Sequence, residues 1–556
     1  MRPLAHSAEA YHKYMETKRD GSMGYRKRLL LDCTLRDGGY LNDWKFGKEN
    51  IANIFERLVS SGVDVIEIGF LDDRREYDSE RTIMPNTQCV EKIFRNMDRG
   101  TAMVVGMIDY GTCAIEQLQP CSESYLDGIR VIFKKEKMYS AMEFCKQVKA
   151  LGYQVFSQLV SITSYSDEEL REVIGLVNEC HPFAVSMVDT YGLCDAPKLA
   201  HIVEIIDQQL APDICLGYHA HNNFQLGYAN AVSVLNSSID RDVLVDGTLY
   251  GMGKSAGNAP LELLAMYMNL NYGKNYDLGQ IQEAISTCVL DMYHKKPWGY
   301  TLFYYIAASN GCHPDYVSYL MNKRTLSVTA VNEILQKIPE EKKLGKDKRM
   351  IEELYLEYQK QACEDSETLA DLQHLLEGKL VLMIGPGKTC KTEIDKILNF
   401  AEKEHPFVIS INYITEELRP DAVFLTNSRR YLQMSNKLRN PENKNLPLIV
   451  TSNIRLVDEK NVRTVNYAQL IDETAEFPDN SMMMMIRLLL NVGVKKIALA
   501  GFDGYTADNV NFFDVNMEYS FVKAKADSLN ESGRAFFENI KDQINILFIT
   551  TSHYGG

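Results

Sequence analysis

No stretch of the 556 residues approaches the roughly 18 consecutive apolar positions that a membrane span needs, and the opening segment MRPLAHSAEAYHKYMETKRDGS lacks the apolar centre of a secretory signal. A basic excess is also missing. Sixty Lys and Arg face 75 Asp and Glu, a net charge of -15, so the whole-chain field does not draw the protein to nucleic acid or to anionic lipid. The twelve cysteines show no CxxC spacing and no regular framework, and Cys33, Cys180 and Cys215 sit inside apolar runs, as reduced thiols used as small core residues do. These absences argue against nucleic-acid and membrane partners, local basic patches apart, and lead us to expect a cytoplasmic protein.

What is present is an ordinary globular composition, 45% hydrophobic and 24% charged, in a chain too long for one core. Residues 1–27 are polar, carry no readable motif and form an N-terminal arm. From Leu29 onward, β-rich apolar runs alternate with stretches such as ENIANIFERLVSSG and DEELREVIGLVNEC, whose apolar positions recur every three or four residues as in a sheet-covering helix. Eight runs read as strands: 29–33, 63–70, 102–108, 127–134, 154–161, 184–190, 215–222 and 243–249. Eight βα units in about 240 residues fit a (β/α)8 TIM barrel, whose site lies at the C-terminal strand ends. An open doubly wound sheet is the alternative, but it would gather its polar motif at one switch point, whereas here polar groups follow many strands.

Those strand ends carry the chemistry. LLLDCTLRDGG (29–39) runs a buried strand into Arg36, Asp37 and two glycines, so one loop offers a guanidinium fork for a carboxylate and a carboxylate for a divalent cation. A surface ion pair in a turn is the plainer reading. Strand 2 contributes Glu67 and strand 6 contributes Asp189 and Thr190, with Glu67 and Thr190 candidates for contact with substrate. Strand 7 ends in His219-Ala-His221, and residues two apart on a strand share a face, so both imidazoles reach one ion. With Asp37 they form a facial set that leaves room for a bidentate 2-oxo acid, and Asn258 is a further oxygen ligand. Nitrogen and oxygen ligation without thiolate suits Mn2+, Mg2+, Co2+ or Zn2+. Lys254, in the loop after strand 8, is either a solvated loop lysine or an anion-recognising one, since loops 7 and 8 often hold phosphate in this fold.

DCTLRDGGY, GYHAHNNFQLGYANA and DGTLYGMGKSAGNAPLELL resemble, in order, the three signature segments of the metal-dependent pyruvate aldolases of the DRE-TIM metallolyase superfamily. The resemblance covers about 28–275 and is strongest to the 4-hydroxy-2-oxovalerate aldolase branch, with hydroxymethylglutaryl-CoA lyase and the isopropylmalate and homocitrate synthases further off. It implies a TIM barrel, metal at Asp37, His219 and His221, and Arg36 stabilising a pyruvate enolate. One departure stands out: the aldolases carry a catalytic His three residues after the metal Asp, and this chain has Tyr40, a poor base unless a cation depresses its pKa. Two other chemistries stay open. One is a Claisen-type condensation with an acyl-CoA; the other is a metal-bound barrel without catalysis, serving a C-terminal transferase.

Residues 276–376 read as a helical annex and linker, in which His313 and Tyr300 either reach the site, His313 then being a second candidate base, or belong to the core. A Rossmann-like α/β domain follows over 377–556. Its opening, KLVLMIGPGKTCKTEIDKIL, nearly matches a phosphate-binding P-loop, but Cys390 stands where that loop needs glycine, which argues against an NTPase. GPGKT and the later LAGFDGY weakly resemble the nucleotide-binding domains of bacterial sialyltransferase-like and motility-accessory glycosyltransferase-like proteins. The resemblance implies a nucleotide or nucleotide sugar near Gly385, Gly387, Asn427 and Asp503. A homo-oligomer is expected.

Overall fold

A computed structural model describes residues 26–323, 326–360, 363–456, 461–472, 479–518 and 522–555, so the expected N-terminal arm lies outside the described residues except for its last two. Among the described residues no helix is long and apolar enough to cross a membrane. The chain packs as two compact units, Met1–Pro314 and Asp315–Gly556. That division falls inside the stretch read as annex and linker.

In the first unit eight parallel strands follow the expected runs: β1 (Arg28–Asp32), β2 (Val65–Leu71), β3 (Met103–Asp109), β4 (Gly128–Phe133), β5 (Gln154–Val160), β6 (Ala184–Asp189), β7 (Cys215–Ala220) and β8 (Val243–Gly247). β1 pairs with both β8 and β2, which closes the sheet into a TIM barrel. The covering helices form for local reasons. Lys48–Ser61 buries Ile51, Ile54, Phe55 and Leu58, one stripe at helical spacing, and stops at Gly62 in the left-handed region. Asp167–Cys180 starts on a capping box in which Ser166 and Glu169 satisfy each other's backbone N-H groups. The third unit has no α-helix after its strand. Pro120 lies in that stretch, and two short 3-10 turns, Ile115–Gln117 and Cys121–Glu123, take the helix's place.

Strand periodicity sorts the side chains. Ile66, Ile68, Ile129, Val131, Leu216, Tyr218, Val243 and Val245 face the helices and join the main core. The alternate positions fill the barrel: Leu31, Val65, Val105, Phe156, Ala184, Cys215 and Leu244 make an apolar layer. Two residues further along their strands, Glu67 and Asp246 are fully buried beside Arg130, which is itself 0% exposed. The barrel interior is thus apolar below and ionic above, under the C-terminal rim.

The second unit holds a seven-stranded parallel sheet: β9 (Val381–Ile384), β10 (Phe407–Ile411), β11 (Ala422–Leu425), β12 (Leu448–Thr451), β13 (Val462–Val465), β14 (Lys496–Ala500) and β15 (Asn545–Phe548). The order is β13-β12-β11-β10-β9-β14-β15, a doubly wound pattern that reverses between β9 and β14. The helices Val328–Gln336, Lys348–Gln359 and Ser366–Leu376 belong to this unit.

Candidate metal centre

The turn after β1 is fixed by its own side chains. The Asp32 carboxylate accepts from Thr34 N (2.9 Å) and from Thr34 Oγ1 (2.7 Å), and a single helical turn, Thr34–Asp37, then delivers Arg36 and Asp37 into the rim. Arg36, 5% exposed, donates through Nε to Glu67 Oε2 (2.8 Å) and through Nη1 to Asp37 Oδ1 (2.5 Å). Its Nη2 edge has no acceptor among the described residues, which leaves one side of the fork for an anion.

Behind Arg36 the ionic layer forms a continuous chain. Glu67 Oε2 lies 3.1 Å from Arg130 Nη1, Arg130 donates through Nη2 to Asp246 Oδ2, and Asp246 Oδ2 lies 3.0 Å from His219 Nδ1. With Nδ1-H donating to Asp246, the lone pair of His219 sits on Nε2. Glu67, expected to touch substrate, instead sits beneath Arg36 at 0% exposure and holds its guanidinium.

Asp37, His219 and His221 offer ligand atoms that all lie within 4.8 Å of one another. Asn258 joins them: its Nδ2 donates to Asp37 Oδ2 (2.6 Å), while its Oδ1 is buried without a partner, as is His221 Nδ1. An amide oxygen and an imidazole nitrogen orphaned beside a carboxylate are costly unless something else satisfies them, and a divalent ion fits that donor set. Protonation suits it too. Burial lowers His221 to about 3, which keeps the imidazole neutral. Burial alone would raise Asp37, but Arg36 and the two imidazoles outweigh it and hold the carboxyl well below the usual range. Cys33, His219 and Asp246 also cluster, but burial pushes the Cys33 thiol well above its ordinary value, and Asp246 already takes His219 Nδ1.

The loop after β8 closes over this set. Lys254 N donates to Asp37 Oδ2 (3.1 Å), and a Cβ on Gly253 would lie 2.4 Å from that oxygen and 2.3 Å from Asn258 Nδ2, so only glycine lets the loop approach. The Lys254 ammonium stands over two rings, 5.4 Å from the Tyr40 centroid and 5.9 Å from that of Tyr191. Tyr191 in turn packs edge-on to the buried His313 at 5.7 Å, which brings His313 beside the loop after β6. Tyr300 is exposed and part of no core. The Thr190 hydroxyl accepts from Ser161 N (2.8 Å), which ties it to the scaffold. Tyr40 is 39% exposed, yet its hydroxyl end is crowded enough that burial raises the phenol well above the ordinary tyrosine value, against the lowering effect of Arg36.

No spacing motif marks Arg130 and Asp246; their signal in the sequence is a charge inside each of two otherwise apolar strands, GIRVIF and VLVDG.

In the second unit the GPGKT turn does not present its amides to a ligand. Gly385 N donates to Ala500 O and Gly387 N to Gly501 O, each at 2.8 Å, and Thr389 N donates to Asp503 Oδ2 at 2.9 Å. The Asp503 carboxylate therefore occupies the place a phosphate would take, Cys390 is buried in the core, and Lys391 is paired with Glu417. The full-length protein should accordingly release no phosphate from ATP or GTP above a protein-free control in a coupled assay. Lys391-dependent release would contradict this.

The fold and the ionic rim together define a metal-dependent carbon-carbon lyase barrel. Residues 28–288 match the HMGL-like family model. The chain is 25% identical over 281 residues to the oxaloacetate decarboxylase of Mycobacterium tuberculosis, covering 50% of this chain and 80% of that one. It is 27% identical over 278 residues to the 4-hydroxy-2-oxovalerate aldolase of Chloroflexus aurantiacus, covering 48% and 77%. Among solved structures, the HMG-CoA lyase of Bacillus subtilis aligns at 16% identity with a TM-score of 0.40, over 49% of this chain and 95% of that one.

Proposed function

We propose that the barrel cleaves a 4-hydroxy-2-oxo acid into pyruvate and an aldehyde. The observation that supports this best is the half-engaged Arg36 fork beside the Asp37, His219, His221 and Asn258 donors, an arrangement suited to a 2-oxo acid whose enolate oxygen becomes anionic. A divalent ion bound there supplies Lewis-acid stabilisation of that oxygen. Arg36 orients the carboxylate and shares the developing charge. A base removes the 4-hydroxyl proton, the C3-C4 bond breaks with its electrons passing into the enolate, and C3 is then protonated. Pyruvate release from a panel of 4-hydroxy-2-oxo acids tests the reading, and no release from any of them would overturn it.

With the Tyr40 phenol raised, Tyr40 acts as a hydrogen-bond donor to substrate and His313 takes the proton. His313→Asn should then lower cleavage by roughly 10²- to 10⁴-fold while pyruvate C3 proton exchange persists. Tyr40→Phe should cost only about tenfold, the loss of one hydrogen bond. Near-normal cleavage in both variants would show that neither residue is the base.

Tyr40 in place of an imidazole also favours a second reading, decarboxylation of a 2-oxo diacid, which yields the same pyruvate enolate without deprotonating an alcohol. Carbon dioxide release from oxaloacetate distinguishes it. In either reaction we assign Lys254 to a second anionic group on the substrate. Lys254→Met should raise KM for such a substrate by roughly 10- to 100-fold, the worth of a charge-assisted hydrogen bond, and an unchanged KM would make Lys254 a solvated loop residue. For the second unit we infer a nucleotide or nucleotide-sugar ligand, on the doubly wound sheet and its polar strand ends.

A further inference from the structure

A cavity of about 630 Å³ opens at the carboxyl edge of the second sheet, where the strand order reverses between β9 and β14. Gly387 after β9, Asn412 after β10, Asn427 after β11, and Phe502 and Asp503 after β14 form its floor. Parallel α/β sheets take their ligands in that crevice, and the volume lies in the small-molecule range of about 300 to 1,000 Å³.

The lining carries two chemistries. The rings of Tyr355, Tyr467, Phe502 and Phe512 suit a flat heterocycle. The cap residues Asn427 and Asn480 line the same cavity. Asn427 accepts from Arg430 N (2.9 Å), and Asn480 accepts from Met482 N (3.1 Å) and Met483 N (3.3 Å), so the helices Ser428–Arg439 and Ser481–Asn491 both begin at the cavity. Arg430, Lys323 and Lys525 line the same cavity, with the Lys323 ammonium 4.8 Å from the Tyr355 ring centroid. Of the lining acids, Asp503 is engaged by Thr389, and Asp479 accepts from the Tyr467 hydroxyl (3.2 Å) while burial raises it; Glu352 is the third. Cations and two helix starts therefore line the cavity, while amides of the GPGKT turn are already engaged by Ala500, Gly501 and Asp503.

We propose that this cavity binds a nucleoside diphosphate group, its base among the four rings and its phosphates between Arg430, Lys323 and the start of the Ser481–Asn491 helix, and not on the GPGKT turn. The inference rests on reading the second unit as a nucleotide-class binder. Calorimetry on the full-length protein with ADP, GDP, CDP and UDP as probes tests both. At least one should bind. Asn480→Asp keeps a helix-capping side chain but adds a negative charge, and it should weaken that diphosphate roughly tenfold or more, as should Lys323→Met, while Lys391→Met in the turn changes nothing. Binding of none of the four would overturn the nucleotide reading itself. Binding that is lost in Lys391→Met and untouched in Asn480→Asp and Lys323→Met would keep that reading and overturn the placement proposed here.

Discussion

A His219→Ala protein should fold, elute from a desalting column without stoichiometric divalent metal, and show no lyase turnover above background. His219 Nε2 is one of three close ligand atoms, and its orientation is set by Asp246 on the opposite ring nitrogen. Loss of a supporting outer partner alone commonly costs about 10- to 100-fold in metal affinity, so Asp246→Asn should fall in that range and loss of the ligand itself should exceed it. Metal loading competes with protons only at ligands that hold one. Burial holds His221 down to about 3 and Asp37 lies lower still, so neither should make loading pH-dependent above about pH 5. Elemental analysis decides the matter: undiminished metal in His219→Ala would remove the assignment.

Arg130→Met should destabilise the barrel by about 3 to 5 kcal/mol, the cost of breaking a buried ion pair from one side. Arg130 is fully buried between the Glu67 and Asp246 carboxylates, which stay buried when it is removed. Total domain stability is typically about 5 to 15 kcal/mol, so this variant should unfold at much lower urea. The loss should shrink at acid pH, because burial alone would raise Asp246 while Arg130, with His219, holds its carboxyl below the usual range, and without Arg130 it can take a proton and shed its buried charge. Adding Glu67→Gln and Asp246→Asn to Arg130→Met should recover part of the stability. A urea midpoint unchanged by Arg130→Met would show that the chain of ion pairs contributes nothing to the fold.

The barrel was legible in the sequence because period and length agree: seven of the eight apolar runs are followed by a helical stripe, and the residues at their ends lie on one rim. The candidate metal ligands stood out for the same reason, since the two-residue spacing of His219 and His221 gives a shared face. Arg130 and Asp246 were not, because a single charge in an apolar strand acquires meaning only from a partner 116 residues away. The same distance problem governs the second unit. GPGKT reads locally as a phosphate turn, and the group that fills it, Asp503, lies 114 residues downstream of Thr389. The annex helices read as helices, but an amphipathic stripe does not say which core it covers, so the division between Pro314 and Asp315 was not visible. The strand Val462–Val465 leaves little trace in the sequence because VRTV is short and only its last residue is fully buried.

The run of ion pairs from Arg36 through Glu67, Arg130 and Asp246 to His219 is unbroken and made by protein groups alone, although Glu67 Oε1, Arg130 Nε and Asp246 Oδ1 are left without a hydrogen-bond partner. The side chains that would grip an ion are thus anchored from below by contacts the ion does not make. In a zinc finger the metal holds the polypeptide together, and removing it melts the domain. Here the dependence runs the other way: the barrel is a socket whose shape outlasts its contents. Chelation should empty it without unfolding it, and the same molecules should be refilled and exchanged among metals many times over.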